Sequence, residues 1–89
     1  MVEIRWSHPA IDDVAEISRY ISRAIIQGIF EMVEHLKKSP ELGRKVPESD
    51  DPRIREIIYR KYRIIYQIYE GYLEVVRIIH GRRLFKNFL

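Results

Sequence analysis

Three alternating stretches fill the last third of the chain, RIREIIYRKYRIIYQIYEGYLEVVRIIHGRR from Arg53 to Arg83. Val, Ile, Leu and Tyr dominate them, and such residues suit a pleated, half-buried surface. The pattern predicts strands over about Ile54–Tyr59, Tyr62–Tyr69 and Tyr72–Ile79. Arg60-Lys61 and Glu70-Gly71 are the connections, so both pairs are expected to be antiparallel hairpins. Alternation gives the middle strand an apolar core face of Tyr62, Ile64, Tyr66 and Ile68. Its other face, with Arg63, Ile65, Gln67 and Tyr69, is expected to border solvent or a site. On the third strand, Leu73, Val75, Arg77 and Ile79 share one face, and Tyr72, Glu74, Val76, Ile78 and His80 the other. If Arg77 lies on the face of Arg63, Arg83 falls in the same parity and arginines gather over one side of the sheet. Two readings fit such a gathering: solubilising charge, or a surface for an anionic partner.

Val2 to Trp6 also alternates and predicts a short first strand. Ser7-His8-Pro9 then starts a helix: Ser7 as cap, Pro9 in the first turn, Asp12 and Asp13 at the positive end of the dipole. Apolar positions recur with helical spacing at Ala10, Val14, Ile17, Ile21, Ala24, Ile25, Gly28, Ile29, Met32, Val33 and Leu36, with no break in phase. Lys37-Lys38 and Ser39-Pro40 end the run. The periodicity therefore predicts one long helix, residues 9–38. Such a helix is about 40 Å long, whereas a strand of seven or eight residues is only about 25 Å. One small sheet cannot cover its apolar stripe. Either Gly28 breaks the helix, or the far half docks on a second copy in a swapped homodimer.

Pro40 to Pro52, PELGRKVPESDDP, has three prolines, a glycine and an acidic run, and is a loop. Leu42 and Val46 are expected to anchor it to the core edge, with Glu48, Asp50 and Asp51 solvated. The closing LFKNFL is apolar enough to pack on a sheet edge or a partner. With 89 residues this is one small α+β domain spanning 1–89.

Charge changes the picture. The net charge is +3. Residues 1–52 hold seven Lys or Arg and ten Asp or Glu, while residues 53–89 hold nine and three, so the C-terminal part is +6 and the rest −3. A basic sheet on an acidic body suits nucleic acid or an acidic protein segment, or attraction between the two halves themselves. There are no cysteines, which fits a reducing, cytoplasmic setting and leaves disulfides and thiolate metal sites out. MVEIRWSHPA lacks an apolar core segment, so no export signal is expected, and no apolar run approaches a membrane span. His8, His35 and His80 are too scattered to suggest a metal site. The four glycines are isolated, so no phosphate-binding loop and no cofactor is expected.

The strings DDVAEISRYI with Trp6 and Ala10, LKKSPELGRKVPE, REIIYRKYRIIYQI and IIHGRRL come in one order and spacing. Together they make the chain resemble the RelE/ParE toxin superfamily of type II toxin–antitoxin systems, over nearly its whole length. The LGRKVPE loop and HGRR ending resemble the ParE branch more than the RelE branch. The resemblance implies a helical hairpin after the first strand. Here RYIS runs directly into RAIIQGIFEMVEHL, and the periodicity predicts a fused helix instead.

The resemblance implies two activities. ParE-type toxins bind and poison DNA gyrase with no reaction of their own. That reading assigns binding to Arg55, Tyr59, Arg60, Lys61 and Arg63, and to Arg77, Arg82, Arg83 and Lys86. RelE-type toxins cut messenger RNA on the ribosome as endoribonucleases. In that reading Arg63 and Arg83 match the arginines that stabilise charge on the scissile phosphate. His80 would move the proton, since imidazole titrates nearest neutrality; strand parity, however, sets it beside Ile78 and away from Arg63. The tyrosine that some members carry near the C-terminus has no counterpart. A third reading is a non-toxic dimeric binding module of the same fold. The resemblance also implies a cognate antitoxin, whose acidic, partly helical segment would suit the +6 end and add to a sheet edge. A role in plasmid stabilisation and growth inhibition follows from the same likeness.

Overall fold

The computed structural model describes residues 1–81 and Arg83. Its elements run β1 (Glu3–Trp6), α1 (His8–Ile17), α2 (Arg23–His35), β2 (Arg44–Lys45), β3 (Ile54–Tyr59), β4 (Tyr62–Tyr69) and β5 (Tyr72–His80). They form one five-stranded sheet in the order β1-β5-β4-β3-β2. The three expected strands are present as two antiparallel hairpins. Gly71, at φ 82°, and Arg60, at φ 55°, take the left-handed conformation that the tight turns require. β1 joins the far edge in parallel with β5.

The single long helix is not formed. α1 ends at Ile17 with Ser18 as its C-cap, and Ser22, extended at ψ 154°, caps α2 by accepting from the Ile25 amide at 3.4 Å. Residues 19–22 reverse the chain. The physical reason is the one that made a long helix awkward: folding back puts Ile29, Val33 and Leu36 over the same sheet as Ala10, Val14 and Ile17. The hairpin closes within one chain, so the apolar stripe needs no second copy to cover it. Gly28 is not the break either. It sits inside α2, where the Tyr59 phenol lies against its backbone and leaves no room for a Cβ.

The apolar face of β4 is the core face, as expected, and lies under two helices rather than one, with Ile64 and Tyr66 fully buried. β5 changes face midway. Tyr66 pairs with Val75 and Ile65 with Arg77, so Val76 is an extra, bulged residue. Leu73 and Val75 therefore face the helices with Ile78 beyond the bulge, whereas Ile79 turns to the opposite side. The uninterrupted alternation that grouped Leu73, Val75, Arg77 and Ile79 is thereby corrected. Arg77 and Ile79 do share the face of Arg63, but only because the bulge moves them there. On that second face Val46, Ile65 and Ile79 form a smaller core. Val46 anchors the loop as expected; Leu42 does not, being 58% exposed.

Candidate functional site

Arg63 is the centre of the second face, and it is not at the surface. Only 7% of its side chain is exposed. Its Nε donates to Glu56 Oε1 at 2.6 Å, and its two terminal nitrogens donate to the Glu48 carboxylate at 2.8 Å each. Nη1 also donates to the Arg83 carbonyl at 3.0 Å. Glu56 is itself fully buried and accepts from exposed Arg44 at 2.8 Å. Glu48, Arg63, Glu56 and Arg44 thus form an alternating chain of charge. The hydrogen bond to Glu48 above all holds the Arg63 guanidinium above its ordinary pKa, against the lowering effect of burial. The expectation that this strand face borders solvent fails here because the loop before β3 folds Glu48 over it. Glu48 is correspondingly not solvated.

Arg77 is held in a different way. β1 ends opposite Val75, which leaves the rest of the β5 edge without a strand. α1 takes over that edge. Ser7 accepts from the Ala10 amide as helix cap while donating its hydroxyl to the Val76 carbonyl at 2.7 Å. Asp13 accepts the Ile78 amide at 2.8 Å and grips Arg77 through two hydrogen bonds of 2.8 and 2.7 Å. The Asp13 hydrogen bond holds the Arg77 pKa above its ordinary value. Helix, strand and ion pair together wall a cleft of about 230 Å³ between α1 and the end of the sheet. Glu16, Tyr62, His80 and Arg83 complete its lining.

His80 stands opposite Tyr62 in the β4–β5 register, with ring centroids 6.0 Å apart in an edge-to-face arrangement. It lies on the helix side of the sheet beside Ile78, as parity requires, while Arg63 is on the other. Arg83 connects the two, with its carbonyl on Arg63 and its residue lining the cleft. His80, Arg83 and Arg77 are therefore brought together, and Arg63 is excluded from them.

The remaining expected residues disperse. Arg55 turns inward and donates to the Gly43 carbonyl at 3.0 Å. Tyr59 is half-buried against Gly28, and the Arg60 guanidinium lies 5.7 Å above its ring. Lys61 is exposed, and its carbonyl accepts from Gly81. Tyr69 and Tyr72 stack at 4.7 Å at the opposite end of the hairpin, with Arg5 3.8 Å over Tyr72. Arg82 and Lys86, and the LFKNFL stretch, lie outside the described residues. Among the described residues, no group of three His, Asp or Glu side chains could hold a metal ion, and no helix is long and apolar enough to cross a membrane.

Sequence reasoning missed Asp13, Glu48 and Glu56 as partners. Glu56 had a usable signal: the two-residue turn at Arg60-Lys61 sets it diagonally across from Arg63. Glu48 and Asp13 had none, because loop and helix are placed only by tertiary packing.

The fold is shared with solved toxin structures. A chain of the chromosomal ParDE system from P. aeruginosa superposes with a TM-score of 0.71 at 21% identity, over 90% of this chain and 96% of that one. The isolated E. coli RelE toxin superposes with a TM-score of 0.73 at 16% identity over the whole of both chains. A chain of the RelB–RelE antitoxin–toxin complex from Methanococcus jannaschii gives 0.68 at 14% identity, over 96% and 99%. Comparison with curated protein sequences finds no match. The family model of the ParE toxin of type II toxin–antitoxin systems, parDE, matches residues 4–85, and the chain belongs to that family.

Proposed function

We propose that this toxin acts as the ParE branch does, by docking on DNA gyrase without a chemical step, and that a cognate antitoxin neutralises it. The observation that carries this reading is the state of Arg63. A phosphate-stabilising arginine must offer hydrogen-bond donors to a substrate. Here the guanidinium is buried and committed to Glu48, Glu56 and the Arg83 carbonyl. Turning it outward would leave two carboxylates beneath the loop without their counter-charge. The cleft holding His80 is also weakly suited to an RNA backbone, since Asp13 and Glu16 line it with Arg77 and Arg83.

A docking surface needs exposed cations and aromatic anchors. Exposed Arg60, Lys61 and Arg83, with half-buried Tyr62, supply these at one end of the molecule. On the other flank of α1, Trp6, Ile11, Val14, Ala15 and Phe30 border an apolar groove of about 410 Å³. That groove suits an apolar anchor of the antitoxin, so neutralisation and target binding use different surfaces. Toxin–antitoxin complexes among the structural neighbours support an antitoxin partner. In this reading the chain acts in the cytoplasm, arrests growth when its antitoxin is lost, and so stabilises the replicon that encodes it.

Purified protein should inhibit plasmid supercoiling by gyrase and leave ribosome-bound messenger RNA intact. Cleavage of that RNA with gyrase unaffected would establish the endoribonuclease reading instead. His80→Ala separates the two as well: it should leave gyrase inhibition nearly unchanged, whereas a nuclease using His80 loses about 10²-fold or more.

A further inference from the structure

Residues 18–22 form the turn between the two helices. The amides of Ser18 to Ile21 bond back to α1 carbonyls. Arg19 and Tyr20 amides bond back to the Glu16 and Ile17 carbonyls at 3.2 and 3.0 Å, and Ser22 caps α2. Tyr20 is 76% exposed, and Arg19 and Arg23 flank it at the surface. The charge there is unbalanced. Arg19 reaches Glu16 at 3.6 Å, but Arg23, Arg60 and Lys61 form no ion pair among the described residues.

Two contacts bring the turn to the same end as the β3–β4 connection. Glu16 and Ile17, immediately before it, line the cleft with Tyr62, His80 and Arg83. Gly28, in the half of α2 that follows it, packs against Tyr59, the residue before Arg60-Lys61. An exposed aromatic between two arginines thus lies toward the same end of the molecule as the basic turn of the sheet.

We propose that Arg19, Tyr20 and Arg23 form, with Arg60 and Lys61, one docking surface for an acidic protein surface. This deepens the docking reading above and rests on it for the target, though not for the chemistry of the surface. Tyrosine and arginine are the side chains that most often anchor such interfaces, and unpaired cations favour an acidic counterpart. A protein is favoured over nucleic acid because Glu16 stands 3.6 Å from Arg19 among these cations and breaks a continuous phosphate track.

The test uses isotope-labelled full-length protein titrated with a short oligoglutamate peptide, a single-stranded RNA of equal charge, and, by interferometry, purified gyrase. Oligoglutamate should shift amide signals of residues 19–23 and 60–61. Tyr20→Ala and Arg19→Glu/Arg23→Glu should each weaken gyrase binding by about tenfold or more, with unchanged melting. The charge-matched control Lys38→Glu/Lys45→Glu, at other surfaces, should stay within about twofold. Shifts spread away from these residues, or RNA shifting them where oligoglutamate does not, overturn the proposal. So do tip variants that bind gyrase like the control. Localised oligoglutamate shifts in a wild-type chain that does not bind gyrase would sustain the surface and remove the gyrase reading.

Discussion

Arg63 and Glu48 face each other through two parallel hydrogen bonds of 2.8 Å, one side chain from β4 and the other from the loop before β3. Both are nearly buried, at 7% and 13% exposure. Removing one partner of such a pair leaves a charge in a poorly solvated place. Glu48→Ala should therefore destabilise the protein by about 3 kcal/mol in urea unfolding. Glu34→Gln breaks the exposed pair with Lys37 and should change stability by less than about 0.5 kcal/mol. Equal losses in the two variants would mean that the Arg63 pair is solvated after all. Arg63→Ala should be a folding variant too, so loss of toxicity in it would not identify a catalytic arginine.

Gly28 and Tyr59 make the second prediction. On an isolated helix Gly→Ala gains about 1 kcal/mol. Here the new Cβ would overlap the Tyr59 phenol, which is held between α2 and β3. Gly28→Ala should instead destabilise by about 1–3 kcal/mol, as overpacked sites do. Adding Tyr59→Ala should recover the helix gain, so the pair should be strongly non-additive in a double-mutant cycle. Additive effects would show that the two residues do not meet.

These two sites also show what the sequence could reveal. The meander was legible because β4 alternates cleanly and its turns are short. The face of Arg77 was not, because a single bulge at Val76 resets the parity and leaves no mark in composition. The helix reversal was hidden for a related reason. Ile17, Ile21 and Ile25 keep a spacing of four residues across the turn, so the apolar stripe resumes in phase. Only Ser18 and Ser22 signalled the break, and serines occur on many helix surfaces. At the site, the arginines were legible and their partners were not. Positive charge was read as available because Glu48 and Asp13 lie far from Arg63 and Arg77 in sequence.

Tyr66 should give the fold a measurable alkaline limit. Its ring is fully buried; its hydroxyl donates to the Pro40 carbonyl at 2.6 Å and accepts from the Gly43 amide at 2.9 Å. Burial raises its pKa above the ordinary value, which is about 10. A raised folded pKa means the protonated form is the one stabilised. That stability is complete below about pH 10 and falls as pH rises through the folded value. Tyr66→Phe leaves two backbone groups without partners and should cost about 1–3 kcal/mol at neutral pH. The gap between wild type and variant should hold to about pH 9 and narrow above pH 10. A constant gap would mean that Tyr66 titrates alike in both states.

The solution mass tests the helix turn directly. Ser22 leaves helical geometry, at ψ 154°, and its side chain caps α2; the Ser18 hydroxyl bonds back to the Ala15 carbonyl at 2.7 Å. With the hairpin closed in one chain, light scattering of the wild type should give the monomer mass, 10.8 kDa. Ser18→Ala/Ser22→Ala removes the cap, at about 1 kcal/mol, and supplies two strong helix formers. Both changes favour the fused helix, whose far half has no sheet to cover it within one chain. The variant should therefore shift toward a dimer of twice that mass, formed by exchange of α2 between copies. A variant that stays monomeric but melts earlier would assign the reversal to packing, with Tyr59 on Gly28 and the burial of Ile17 and Ile29 in one core holding the hairpin shut without help from the serines.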